Sequence, residues 1–200
     1  MSSLRRMVMV RHGETEGESS IRFHGSADVR LSEEGRAQLR AAARSLRGEM
    51  FELVAASPLQ RSWQGARIVS GGAPVRLFPE FREVHFGYWE GMTAEEIERS
   101  NPALFRDWQS GAAGFEYPGG ELREAFRARV ARGLDALLAS GASSVLLVGH
   151  KGVIRTLAER LLDAPLAEGP SLGGVVSVSR GADGRWFEGR RSSNPAGLDE

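Results

Sequence analysis

Residues 8–20 read VMVRHGETEGESS, an apolar run that stops on Arg11, His12 and Gly13. Met7 to Val10 fit a strand covered on both faces, and a cation beside an imidazole at its carboxyl end, followed at once by a glycine turn, stands where open parallel α/β sheets bind their ligands. What else meets that strand end decides the chemistry.

Working outward, Leu53 to Ala56, Val75 to Phe78 and Val145 to Val148 are short apolar runs of the same kind, predicting further strands buried on both faces. Amphipathic helices lie between them. Ser32 is an N-cap with Glu33 and Glu34 in the first turn and Arg44 and Arg47 in the last, while Leu39, Ala42 and Leu46 form the inner face. In SPLQRSWQGARIV, Ser57 caps a helix and Pro58 takes its first position, where the missing N–H costs nothing. Leu122, Phe126, Val130, Leu134 and Leu137 recur at helical spacing, predicting a helix to about Ser140, and another runs from about Val153 to Leu162.

Strands alternating with helices predict an α/β fold, a three-layer α/β/α sandwich around a mainly parallel central sheet. GVVSVSR and GRWFEG, with Gly181 to Gly184 as the turn, predict an antiparallel edge hairpin. Residues 1–200 read as a single domain with a lid-like insertion over 86–120 and a frayed polar tail over 190–200.

The chain is 41% apolar and 26% charged, with no net charge, so no broad basic surface points to nucleic acid or to a membrane. It has no cysteine, which removes disulfides and thiolate chemistry. The apolar stretch before Arg11 is too short for a signal-peptide core and no long apolar run follows, so a cytoplasmic location is expected. Lys151 is the only lysine among 26 basic residues, which makes any single arginine weak grounds for function.

Three polar clusters fall at predicted strand ends: Arg11-His12-Gly13, Ser57 to Arg61, and Gly149-His150-Lys151-Gly152 at the start of a helix. Arginine forks and helix N-terminal N–H groups suit phosphate oxygens, and a neutral imidazole among cations can attack phosphorus. Taken singly, either histidine is more often a hydrogen-bonded structural residue and either arginine more often a surface ion pair. Their joint placement favours a phosphate pocket. No HExxH, EF-hand or GxxxxGK[ST] motif is present, so no metal or other cofactor is expected.

RHGET (Arg11 to Thr15), SPLQRSWQGA (Ser57 to Ala66), EVHFGYWEGMT (Glu83 to Thr93) and VGHKGVIR (Val148 to Arg155) resemble, in order and spacing, the histidine phosphatase superfamily, also called phosphoglycerate-mutase-like. The resemblance implies that His12 is phosphorylated during turnover, that Arg11, Arg61 and His150 hold the phosphoryl group, and that Glu83 gives a proton to the leaving oxygen. Thr15, Glu18, Arg22, His24, Gly25, Lys151 and Gly152 are the further candidates for phosphate or substrate contact.

Departures are informative. Glu18 stands where the family usually has asparagine and Gly17 where it has tryptophan, so Glu18 either points away from a phosphate or meets a hydroxyl or cation of the substrate. His24 stands where glutamine is common. Mutases resembling this chain carry Glu-Arg-His-Tyr-Gly at the acid motif, whereas Val84 and Phe86 take those places here, so water is the favoured acceptor. FEYPGGE (Phe115 to Glu121) resembles the lid of the superfamily's small phosphatases, although Leu122 follows where serine is usual. Tyr88, Trp89, Trp108, Phe115 and Tyr117 either line a leaving-group pocket or, the favoured reading, pack the insertion.

The sequence therefore points to a metal-independent phosphomonoesterase of the small-phosphatase branch, acting on a small phosphorylated metabolite. A phosphoglycerate-type mutase and a non-catalytic phosphate-binding module are the alternatives, and a homodimer is the assembly to test.

Overall fold

The computed structural model describes residues 3–166 and 169–192. Strand β1 (Arg6–Arg11) is the hinge of the architecture, because Met7, Val8, Met9 and Val10 are all fully buried. Around it lie β2 (Leu53–Ala56), β3 (Val75–Leu77), β4 (Ser144–Gly149), β5 (Val175–Arg180) and β6 (Trp186–Ser192), in the order β3-β2-β4-β1-β5-β6. The first four in that order are parallel, and β5 and β6 add the antiparallel hairpin that the sequence predicts.

Alternation along the strands sorts the core into two layers. Met7, Met9, Ala55, Val145 and Leu147 face helices α5 (Arg123–Leu138) and α6 (Lys151–Leu162) through Phe126, Val130, Leu134, Ile154 and Leu157. On the opposite face, Val8, Val10, Val54, Ala56, Leu146 and Val148 pack on α1 (Glu33–Ser45) and α2 (Gln60–Val69) through Leu39, Ala42, Ala66 and Val69. The result is the expected three-layer sandwich with a mainly parallel sheet.

Local chemistry sets several boundaries differently from the sequence reading. Helix α1 is capped by Ser32, whose Oγ accepts the Gly35 N–H at 3.1 Å, but it ends at Ser45, leaving Arg47 beyond the last turn. Helix α2 begins at Gln60, not Pro58: Ser57 instead bends the chain, accepting the Leu59 N–H at 3.1 Å. Its helix cap comes from a distant loop, where Asp28 accepts the Gln60 N–H at 2.7 Å. Helix α6 starts at Lys151, two residues earlier than expected, with His150 extended as its N-cap.

Strand β3 is not buried on both faces. It lies at the sheet edge with Arg76 and Leu77 exposed, and Phe78 leaves the strand to open a short 3-10 turn, Pro79–Phe81. Leu122 does not join the inner face of α5; it is 60% exposed just before the first turn. Residues 190–192 belong to β6 and not to a frayed tail, and the rest of that predicted tail lies outside the described residues.

The insertion over 86–120 carries α3 (Ala94–Ser100), closed by a reciprocal Thr93–Glu96 capping box, and α4 (Pro102–Ser110). Its own core is aromatic. Trp89, Phe105 and Phe115 are buried with Ile97, and Phe23, Phe86, Trp108 and Tyr117 pack around them edge to face. Four of the five aromatics considered for a leaving-group pocket are thus packing residues, while Tyr88 is 79% exposed.

Candidate active site

Adjacent parallel strands bring the two histidines together. Arg11 at the end of β1 is in register with Gly149 at the end of β4, and the His12 N–H extends the ladder by donating to the Gly149 carbonyl at 2.9 Å. The next residue on each strand, His12 and His150, therefore projects from the same edge of the sheet. Their ring centroids are 5.2 Å apart at 62°.

Hydrogen bonding assigns the protons on His12. Its Nδ1 lies 2.7 Å from the Gly13 carbonyl, and a carbonyl can only accept, so Nδ1 carries the hydrogen and Nε2 keeps its lone pair. Burial, reinforced by Arg61 and Arg11, holds the His12 pKa well below its usual 6.5. The ring is neutral at physiological pH and presents a nucleophilic nitrogen. His150 is fully buried and held neutral by the same causes, and neither of its ring nitrogens has a partner among the described residues. Two uncommitted nitrogens in a cation-rich hollow suit a ligand rich in oxygen.

Arg61, in the first turn of α2, is fully buried and tied to the loop that follows Arg22. It donates to the carbonyls of Ala27 at 2.6 Å, His24 at 2.9 Å and Gly25 at 2.6 Å, while its Nε has no partner among the described residues. Burial lowers its pKa to about 10, which leaves it cationic at neutral pH. Arg11 donates to the Pro170 carbonyl at 3.2 Å, and its Nε is likewise unpartnered among the described residues. Burial lowers the Arg11 pKa, with Glu83 and Glu14 opposing.

Glu83 completes the cluster. Its Oε2 accepts the Gly152 N–H at 2.9 Å and its Oε1 the Val84 N–H at 3.0 Å. Burial pushes its pKa up, more strongly than those two N–H groups and the two arginines pull it down, so its carboxyl favours the protonated form beyond the ordinary carboxylate range. Gly152 is needed for this seat, because a Cβ there would stand 2.6 Å from the Glu83 oxygen. The Gly152 N–H, expected to face an anion, is thus engaged by the carboxyl group.

The remaining candidates sit around this cluster or at its rim. The Thr15 hydroxyl pairs with Ser19 at 2.8 Å. Glu18 adopts a left-handed backbone with φ of 60° and faces Arg22 at 3.3 Å, resolving its repulsion from a phosphate by pairing within the protein. Arg22 also donates to Gly91 and Glu96, at 2.8 and 3.1 Å, tying the rim to the insertion. The His24 ring donates to the Gly17 carbonyl. Gly25 lies behind Arg61, and Lys151 is exposed at the start of α6.

Three carboxylates were not singled out from the sequence. Glu14 folds the RHGET turn by accepting the Thr15 and Ser20 N–H groups at 2.7 and 3.0 Å. Glu90 gathers the N–H groups of Gly25, Ser26 and Phe86, at 3.1, 2.9 and 3.0 Å, and so braces the loop that holds Arg61. Asp28 caps α2 from the same loop. Glu14 and Glu90 had a signal, their places inside the quoted RHGET and acid motifs; Asp28 had none.

Among the described residues no cluster of three or more histidine, aspartate or glutamate side chains could hold a metal ion. No described helix is long and apolar enough to cross a membrane. Two surface hollows of about 400 and 350 Å³ flank β3, lined by residues such as Trp63, Arg67 and Phe51, and share no residue with the histidine cleft.

A mainly parallel α/β sandwich with two neutral imidazoles meeting edge to face, beside a buried Arg61 and a half-buried Arg11, defines a class: proteins that grip a tetrahedral oxyanion at the carboxyl ends of their strands. The sequence matches the histidine phosphatase superfamily (branch 1) over residues 7–186, and the chain belongs to that family. It is 36% identical to glucosyl-3-phosphoglycerate phosphatase of Mycobacterium tuberculosis over 197 residues, covering 92% of this chain and 88% of that one. It is also 36% identical to adenosylcobalamin/alpha-ribazole phosphatase of Salmonella typhimurium over 170 residues, 81% and 82% of the two chains. The solved structure of a putative alpha-ribazole-5'-P phosphatase from Escherichia coli superposes with a TM-score of 0.84 at 26% identity, covering 98% of this chain and all of that one.

Proposed function

We propose that the protein is a metal-independent phosphomonoester hydrolase that works through a phosphohistidine at His12 and acts on a small phosphorylated metabolite. One observation carries the reading: His12 is neutral, with its Nδ1 hydrogen committed to Gly13, its Nε2 lone pair left for chemistry, His150 5.2 Å away ring to ring and the charges of Arg61 and Arg11 acting on it. In the first step His12 Nε2 attacks phosphorus and the P–O bond to the leaving group breaks. Arg11, Arg61 and His150 take up the charge on the phosphoryl oxygens, and the protonated Glu83 gives its proton to the leaving alkoxide. In the second step the ionised Glu83 takes a proton from water, whose oxygen attacks phosphorus, breaking the P–N bond and restoring both residues.

Hydrolysis is favoured over phosphoryl return to an isomeric substrate because the acid motif supplies no extra cation. Val84 is buried, and Phe86 packs on Phe23 and Tyr117. The relatives named above are phosphatases of a glucosylated phosphoglycerate and of alpha-ribazole phosphate, which supports a small metabolite with an alcohol leaving group. A single catalytic domain with residues 86–120 as its lid, a cytoplasmic location and a homodimeric state belong to the same proposal.

The test is a phosphomonoester panel, including those two compounds, assayed in excess EDTA. Phosphate release that His12→Ala abolishes is the expected result; undiminished release by His12→Ala, or isomerisation of 3-phosphoglycerate outpacing phosphate release, contradicts the proposal.

A further inference from the structure

We infer that Arg129 and Glu121 act as a positioning pair that holds Glu83 in line for proton transfer, an inference resting on the proton-donor role proposed above. Glu83 stands on no strand or helix. It follows the Pro79–Phe81 turn, so no ladder or helical hydrogen bond fixes its backbone. Helix α5 supplies the missing support. At Gly133 a Cβ would lie 2.4 Å from the Phe81 ring and 2.9 Å from the Glu80 Cβ, so only a glycine lets the turn press directly on the helix.

One helical turn before Gly133, and so on the same face, Arg129 reaches the same segment. Its Nη1 donates to the Glu80 and Arg82 carbonyls at 2.7 and 2.8 Å. Its Nε and Nη2 donate to the two oxygens of Glu121 at 2.9 and 2.6 Å. The Glu121 backbone N–H in turn donates to the His85 carbonyl at 2.9 Å. The carbonyls of Arg82 and His85, on either side of Glu83, are therefore both held by members of one ion pair. The two side chains are only 19% and 21% exposed. A planar guanidinium can satisfy a carboxylate on one edge and two carbonyls on another; an ammonium cannot keep that geometry.

A pair that merely fastened α5 to the loop would matter equally for every substrate. A pair that aims the acid matters only where the leaving group needs a proton. Single-turnover phosphorylation of Arg129→Lys and Glu121→Gln separates these, comparing glycerol phosphate, an alkoxide leaving group, with p-nitrophenyl phosphate, whose phenolate leaves unaided. We expect the rate with glycerol phosphate to fall about 10- to 100-fold in both variants, as for a displaced general acid. With p-nitrophenyl phosphate the rate should stay within about threefold and KM for both substrates within about twofold, since binding is untouched. Equal slowing with both substrates, no slowing in folded variants, or loss of the fold in both variants would overturn the inference. His12→Ala, run alongside, stops both substrates if the proposed function is right, so failure of that reading is seen separately.

Discussion

His12 and His150 reach the cleft from neighbouring parallel strands whose ladder fixes both backbones before any side chain is placed, whereas Glu83 stands on a loop and owes its position to side chains. On the proposed mechanism, the side of the cleft that takes the phosphoryl group is thus a property of the sheet. The proton side is a property of particular contacts: a glycine that admits the carboxyl to the start of α6, and a guanidinium that pins the carbonyls before it. Changes on the first side should act through the fold or abolish the chemistry. Changes on the second can tune the rate while the fold stands.

The sharpest way to test that division is Glu83→Gln, which keeps the side-chain shape and one of the two accepted N–H bonds and removes the acidic proton. Turnover of alkyl phosphomonoesters should fall by about 10²- to 10⁴-fold. The pH profile adds a sign. Burial raises the Glu83 pKa, so the acid form persists above the ordinary carboxylate range and kcat/KM should drop as pH rises through the raised value. His12 is held below 6.5, so no loss of nucleophile is expected on the acid side near that pH. A profile of the variant that still fell on the same alkaline limb would assign the limb to another group.

On the sheet side, Leu146→Ala removes a fully buried side chain from the strand beside β1. Denaturant unfolding should show a loss of about 2–5 kcal/mol, with activity per folded molecule retained. Activity lost in proportion beyond the unfolded fraction would mean the ladder is less rigid than described.

The same ladder buries two imidazoles whose folded pKa values are depressed. The unfolded chain binds protons that the folded one refuses, so their contribution to stability is present above the ordinary 6.5 and falls away as pH drops toward the lowered values. Unfolding free energies at pH 7.5 and pH 5 should differ in that direction, and His150→Asn should shrink the difference. The raised Glu83 pKa acts with the opposite sign, so the rings are read from the variant: a pH dependence left unchanged by His150→Asn would show that ring to be charged in the fold.

The smallest effect is expected at Asp28, which caps α2 from a distant loop. Asp28→Ala should cost about 1 kcal/mol in unfolding experiments. A much larger loss would mean that the loop carrying the Arg61 contacts is part of the folding core.

The two sides of the cleft also differed in how far they could be read from sequence. Arg11-His12-Gly13 and Gly149-His150 announce themselves because an apolar strand ending on polar residues is a local signal, and the layers follow from strand alternation. The supports were not local. Arg129 and Glu121 are eight positions apart and only one of them lies in α5, so helical spacing does not reveal the pair. Asp28 caps a helix 32 residues away, and Ser57 with Pro58 mimicked a helix start where the chain first bends. The edge position of β3 depends on strand order, which short apolar runs do not encode. Gly152 drew notice as a helix-start residue, but its reason, room for the Glu83 carboxyl, needed the fold.

The most direct measurement is the site of phosphorylation itself. After rapid quenching of the enzyme with substrate under alkaline denaturing conditions, peptide mapping and phosphorus NMR should place an acid-labile phosphoryl group on Nε2 of His12, since Nδ1 is committed to the Gly13 carbonyl. Phosphate on Nδ1, on His150 or on a carboxylate, or turnover with no phosphorylated protein at any time, would contradict the account.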